Sequence, residues 1–208
     1  MTKRKIKRRQ KIRPSRKAQP RQTNWLVVGG VIVVGAVVLF ALLYVALQGR
    51  DPVALADYCQ NNPDACVTRG DPDAPVTVVE VSDFGCSHCR DFHVFTYDAL
   101  MEAEVDSGRV YWVTMPYALF DETLGAASAS MCAAEQDAYS AYSQAMFANF
   151  GNSDNLTQAG FERAAAEGGL DVAAFNACVD DGRYVNTVQA NRAAARQAGI
   201  SGTPTFII

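Results

Sequence analysis

The chain has 208 residues, 22 acidic and 19 basic, and a formal net charge of −3. Its charges are segregated: eleven of the 19 bases lie in the first 21 residues, while beyond Arg50 seven arginines face all 22 acids, a net −15. This excludes a uniformly near-neutral globule, and it excludes a nucleic-acid-binding body, because the part long enough to fold is acidic.

Residues 1–24 form a basic, polar tail with too little apolar surface to fold alone. Residues 25–48 follow as a transmembrane signal-anchor helix. The stretch WLVVGGVIVVGAVVLFALLYVAL, residues 25–47, holds no charge over 23 positions. At about 1.5 Å per residue it reaches roughly 35 Å, enough to cross a hydrocarbon core. A cleaved signal peptide has a shorter apolar region, about 7–15 residues, so a retained anchor is expected. The bases before the span keep the N-terminus cytoplasmic and put the acidic part outside.

Residues 49–72 read as an extracytoplasmic connector that carries Cys59 and Cys66. Residues 73–208 read as the folded domain. It opens with PVTVVEVS at residues 75–82, an apolar, β-rich run expected to be a buried strand. A helical pattern runs from Cys86 to about Val105, with Phe92, Phe95, Leu100 and Met101 as its apolar face. RVYWVTM, residues 109–115, is a second strand. Residues 121–199 are rich in Ala and break near 151–154, 168–169 and 181–182, which predicts four or five short helices. Gly199 closes the last of them as a C′ residue. Residues 202–208 begin a further strand. Strand, helix, strand, helical block and strand make an α/β domain with a helical insertion, and the first helix can cross over between parallel strands.

The chemistry lies at Cys86-Ser87-His88-Cys89. A CxxC between a strand and a helix puts its first thiol at the helix N-terminus, where free N–H groups and the dipole stabilise a thiolate. The second thiol sits one turn on, close enough to close a small disulfide ring. His88 inside that ring can stabilise the Cys86 thiolate further. Stabilising the reduced form makes a pair oxidising, so a disulfide donor is expected. A zinc site would need a second pair of ligands at suitable spacing, and none follows. His93 and the aromatics Tyr139, Tyr142, Phe147 and Phe150 are read as packing residues. No metal and no cofactor are called for.

On the strand ending in Glu80-Val81-Ser82-Asp83-Phe84-Gly85, the Cys86–Cys89 centre, the helical insertion and Gly202-Thr203-Pro204, the chain resembles the DsbA-like family of thioredoxin-fold thiol–disulfide oxidoreductases. The resemblance spans residues 75–208. It implies Cys86 as the attacking cysteine and Cys89 as the buried partner. It implies Pro204 as a cis-proline facing the disulfide, with Thr203 before it, together binding an extended substrate. Glu80 resembles the family's buried acid, able to help move the proton of Cys89. Ser87 departs from the Pro frequent at that place. The family's fold continues beyond the cis-proline strand, so the sequence is expected to be C-terminally incomplete. Outside the cell membrane disulfides can form, and Cys132 with Cys178, and Cys59 with Cys66, are the candidate pairs.

The function expected is a membrane-tethered, single-pass oxidase of reduced exported proteins, reoxidised by a membrane oxidase of the DsbB or VKOR-like kind. The rivals are a reductase or isomerase on the same fold, and a non-catalytic metal-binding or interaction module.

Overall fold

The computed structural model describes residues 24–47 and 54–208. The basic tail and the start of the connector lie outside these residues. The chain divides into two units, Met1–Gly49 and Arg50–Ile208. What is described of the first is one 23-residue helix, α1, Trp25–Leu47. Its side chains from Trp25 to Tyr44 are largely exposed and apolar all round, and it is long and apolar enough to cross a membrane.

The second unit is built on a four-stranded sheet with strands β1 (Val67–Arg69), β2 (Val76–Ser82), β3 (Val110–Pro116) and β4 (Thr205–Ile207), in the order β1-β3-β2-β4. β2 and β3 are parallel, Val78 opposite Trp112 and Glu80 opposite Thr114. β1 pairs antiparallel with β3, and β4 antiparallel with β2. A parallel pair needs a crossover. Here it is the helix α3, Ser87–Phe92, which runs on through Asp98–Leu100 to Val105.

That helix differs from a regular one. His93–Tyr97 and Met101–Val105 are π turns. Its buried residues are Cys89, His93, Tyr97, Met101 and Val105, one every fourth position. In an α-helix such a series drifts about 40° per step around the axis. The wider π turns absorb the drift and keep all five facing the sheet. Phe95, expected on the apolar face, is therefore turned out and 73% exposed.

The helical block contains five α-helices: α4 (Leu124–Ala134), α5 (Tyr139–Ala148), α6 (Gln158–Glu167), α7 (Val172–Asp180) and α8 (Val185–Gln197). The break between α4 and α5, centred on Asp137 at φ 55°, has no Gly or Pro to signal it. Gly199 at φ 88° ends α8, and the N–H of Ile200 returns to the Ala195 carbonyl.

The two faces of β2 serve different cores. Val79 and Val81 pack with Leu55, Met115, Tyr117 and Ala195. Val78 packs with Tyr97, Met101, Val105 and Trp112 on the α3 side. Side chains alternate along a strand, so Glu80 and Ser82 share the α3 side with Val78.

The connector folds more than its sequence suggests. α2 (Ala54–Asn61) carries buried Leu55 and Cys59 into the sheet's core, and buried Cys66 joins them immediately before β1. Asn191 on α8 secures this segment: its Nδ2 donates to the carbonyls of Ala65 (2.8 Å) and Pro116 (3.1 Å), and its Oδ1 accepts from Tyr58. A three-residue strand is too short for periodicity to reveal.

Candidate active site

β2 delivers its last residues into a tight turn that sets the cysteines. Asp83 is fully buried. Its Oδ1 accepts from the Gly85 N–H (2.6 Å), and its Oδ2 accepts from the Leu119 N–H and the Thr123 hydroxyl (2.8 Å). Burial pushes this carboxyl up, while the three donors pull it down. A Cβ on Gly85 would lie 2.5 Å from Thr123 Cγ2, so the turn closes only around glycine.

Cys86 is the N-cap of α3, and its Sγ accepts from the Cys89 N–H at 3.5 Å. It is half-buried, whereas Cys89 has no exposed surface. Both are thiols in this structure. Burial pushes the Cys89 thiol up to about 12. The nearby Asp83 N–H and the hydroxyls of Ser82 and Thr203 act in the opposite direction. Both hydroxyls are buried and make no hydrogen bond.

The Thr203–Pro204 bond is cis, as the resemblance implied. The Thr203 carbonyl accepts from Cys86 Sγ at 3.1 Å. The 203–204 segment therefore lies against the cysteine pair from the far end of the sequence.

Glu80 is fully buried one layer below. Its Oε1 lies 2.7 Å from His93 Nε2, and its Oε2 accepts from Trp112 Nε1 (3.2 Å) and the Thr114 hydroxyl (3.4 Å). The His93 ring is stacked between Tyr97 and Phe147. His88 is exposed and has no hydrogen-bond partner among the described residues. Cys59 bonds to Cys66 and Cys132 to Cys178, the latter pair joining α4 to α7. Among the described residues no cluster of three or more His, Cys, Asp or Glu could hold a metal.

Sequence reasoning left Ser82, Asp83 and Thr123 without roles and took His93 for packing. Asp83 had a signal, since Asp two residues before Gly favours a turn that bonds its own backbone. Ser82 and His93 had a weaker one. Strand alternation puts Ser82 beside Glu80, and a spacing of four puts His93 beneath Cys89.

A family model described as Thioredoxin matches residues 62–208. The curated relative "Na(+)/H(+) antiporter NhaA 3" of Salinispora tropica is 32% identical over 148 residues, 71% of this chain and 22% of that protein. "Probable disulfide bond formation protein D" of Bacillus cereus is 43% identical over 61 residues, 28% of each chain. The chain thus spans under a third of these curated relatives. The crystal structure of Wolbachia pipientis alpha-DsbA1 is 29% identical, with a TM-score of 0.60, covering 68% of this chain and 73% of that one.

Proposed function

This chain belongs to the thioredoxin family, among its DsbA-like members, and from that premise we propose that it is a membrane-tethered oxidase that donates disulfides to exported proteins. The observation that carries this reading is the pairing of an accessible Cys86 at a helix N-terminus with a fully buried Cys89, beside the Thr203 carbonyl. A substrate thiolate can reach only Cys86. It attacks Cys86 Sγ of the disulfide and expels Cys89. A second substrate thiol then displaces Cys86, leaving substrate disulfide and enzyme dithiol.

The Cys89 N–H, 3.5 Å from Cys86 Sγ, is a donor aimed at the sulfur that must leave when the second substrate thiol attacks, and it is the contact that favours the oxidising direction. Half-buried Thr203 and Pro204 lie where an extended substrate strand would run. Residues 1–24 act as the cytoplasmic tail, 25–48 as the anchor and the acidic remainder as the extracytoplasmic catalytic part. Reoxidation falls to a membrane oxidase of the DsbB or VKOR-like kind, to which electrons pass from the dithiol.

The test uses the full chain in detergent micelles with a reduced, unfolded model protein. Oxidised wild type forms disulfides in the substrate, and Cys86→Ser does not. Equal rates would remove Cys86 from the mechanism. A potential as reducing as that of thioredoxin, about −270 mV, would replace the oxidase with a reductase. Orientation is checked separately: a membrane-impermeant maleimide labels reduced Cys86 in intact cells if the domain faces outward.

A further inference from the structure

Resolving a mixed disulfide at Cys86 requires the Cys89 thiolate, yet burial holds that thiol at about 12. At neutral pH about one molecule in 10⁵ would carry the thiolate unaided. A base within the fold would remove that limit. Candidates are confined to the layer between β2 and α3.

Two polar rungs cross this layer. On β2, Glu80 and Ser82 are two apart and share a face. On the helix, Cys89 and His93 are four apart and share the buried face. The Ser82 hydroxyl lies at Cys89, and Glu80 holds His93. His93 is therefore one turn from the buried thiol, on the same face. Glu80 Oε2 takes the Trp112 and Thr114 donors, and Oε1 serves as the acceptor facing His93 Nε2, so Nε2 carries the donated hydrogen. This assigns the lone pair to Nδ1, which is buried and has no partner.

The other titratable groups facing this pair are Tyr97 on the same helix and Tyr139 on α5. Burial first, and the Glu80 charge second or lower, pushes both phenols up, so neither accepts a proton. Phe147, stacked on the imidazole from α5, is apolar.

We infer that His93, held by Glu80, is the proton acceptor for Cys89, with Nδ1 as the accepting atom. The step balances simply. Cys89 Sγ gives its proton to Nδ1 and attacks Cys86 Sγ of the mixed disulfide. The Cys86–Cys89 bond forms, the bond to the outer sulfur breaks, and the outer thiolate leaves with the electron pair. Glu80 offsets the imidazolium charge, as a carboxylate does for a catalytic histidine. This rests on the oxidoreductase reading above.

The experiment takes the full chain in micelles, with Cys86 and Cys89 reduced and the other two disulfides intact. One equivalent of 5,5′-dithiobis(2-nitrobenzoate) is added, and thionitrobenzoate is followed in stopped flow. The first release reports attack by Cys86, and the second reports displacement by Cys89. In His93→Gln, whose amide can still donate to Glu80, the first phase is unchanged and the second slows about a hundred-fold, within the range for a lost general base. Glu80→Gln slows the second phase as well. In wild type the second phase levels off with rising pH, whereas in His93→Gln it climbs tenfold per unit. An unaltered second phase in a folded His93→Gln would overturn the inference. So would a wild-type second phase climbing tenfold per unit from pH 5 to 9, a measurement that needs no variant. Absence of a fast first phase would instead remove the oxidoreductase reading on which this rests.

Discussion

Cys89 and Ser82 meet across the layer between α3 and β2: the thiol is fully buried, and the serine hydroxyl, which makes no hydrogen bond, is near enough to pull the thiol's pKa down. Burial outweighs that hydroxyl and the other donors, so Cys89 is held at about 12 against an ordinary 9.0. The pair thus contains one accessible thiol and one that nearly always keeps its proton.

Alkylation reads this asymmetry directly. In Cys86→Ser, Cys89 is the remaining free thiol among the described residues. At pH 7.5 its reaction with iodoacetamide is expected to be about 10³-fold slower than in the urea-unfolded variant, since three pKa units separate the thiolate populations. A rate within tenfold of the unfolded protein would show that burial does not hold the proton.

The same shift makes stability depend on pH. The folded state binds the Cys89 proton more tightly than the unfolded state. Its contribution is therefore whole below about pH 9 and is lost as pH rises towards about 12. Three units correspond to about 4 kcal/mol at most. The comparison is Cys86→Ser against Cys86→Ser/Cys89→Ser in urea titrations from pH 8 to 11. Tyr184, raised to about 12 chiefly by burial, titrates in both and cancels. Parallel pH profiles for the two variants would contradict the assignment.

Much of this arrangement is legible in sequence because the chemistry is local. The strand, the CxxC and the helix after it are contiguous, so periodicity and capping chemistry place them. The contacts that complete the site are not local. Thr203 reaches Cys86 across 117 positions, and Thr123 reaches Asp83 across 40. Asn191 joins α8 to residues 65 and 116 through two carbonyls that no side-chain pattern marks. Phe95 was misplaced for another reason: π turns change the helical period, and regular spacing cannot foresee them.

The turn that positions Cys86 offers a steric test. Gly85→Ala brings a methyl to 2.5 Å from Thr123 Cγ2. The cost expected is about 1–3 kcal/mol, as for other overpacked sites. Thr123→Ser deletes that methyl and keeps the hydroxyl that donates to Asp83. Gly85→Ala/Thr123→Ser should regain most of the loss in urea denaturation. If the two changes simply add, the clash is not the cause.

The two disulfides differ in the chain they close, by 46 and 7 residues. Loop entropy predicts about 4 kcal/mol for the first and about 2.4 kcal/mol for the second. Packing reinforces the order, because Cys132 and Cys178 lie in the same apolar cluster as Phe84 and Cys89, between α4 and α7. Cys132→Ala/Cys178→Ala should therefore lower the denaturation midpoint more than Cys59→Ala/Cys66→Ala. It should also slow reaction at Cys86, since loosening α4 and α7 disturbs the core under Phe84. The Cys59–Cys66 bond fastens α2 to β1 at the other side of the sheet, against Val79 and Val81. Its loss should cost stability while leaving the first-phase reaction of Cys86 unchanged. A larger rate effect from Cys59→Ala/Cys66→Ala than from Cys132→Ala/Cys178→Ala would place the support of the active site in the wrong half of the domain.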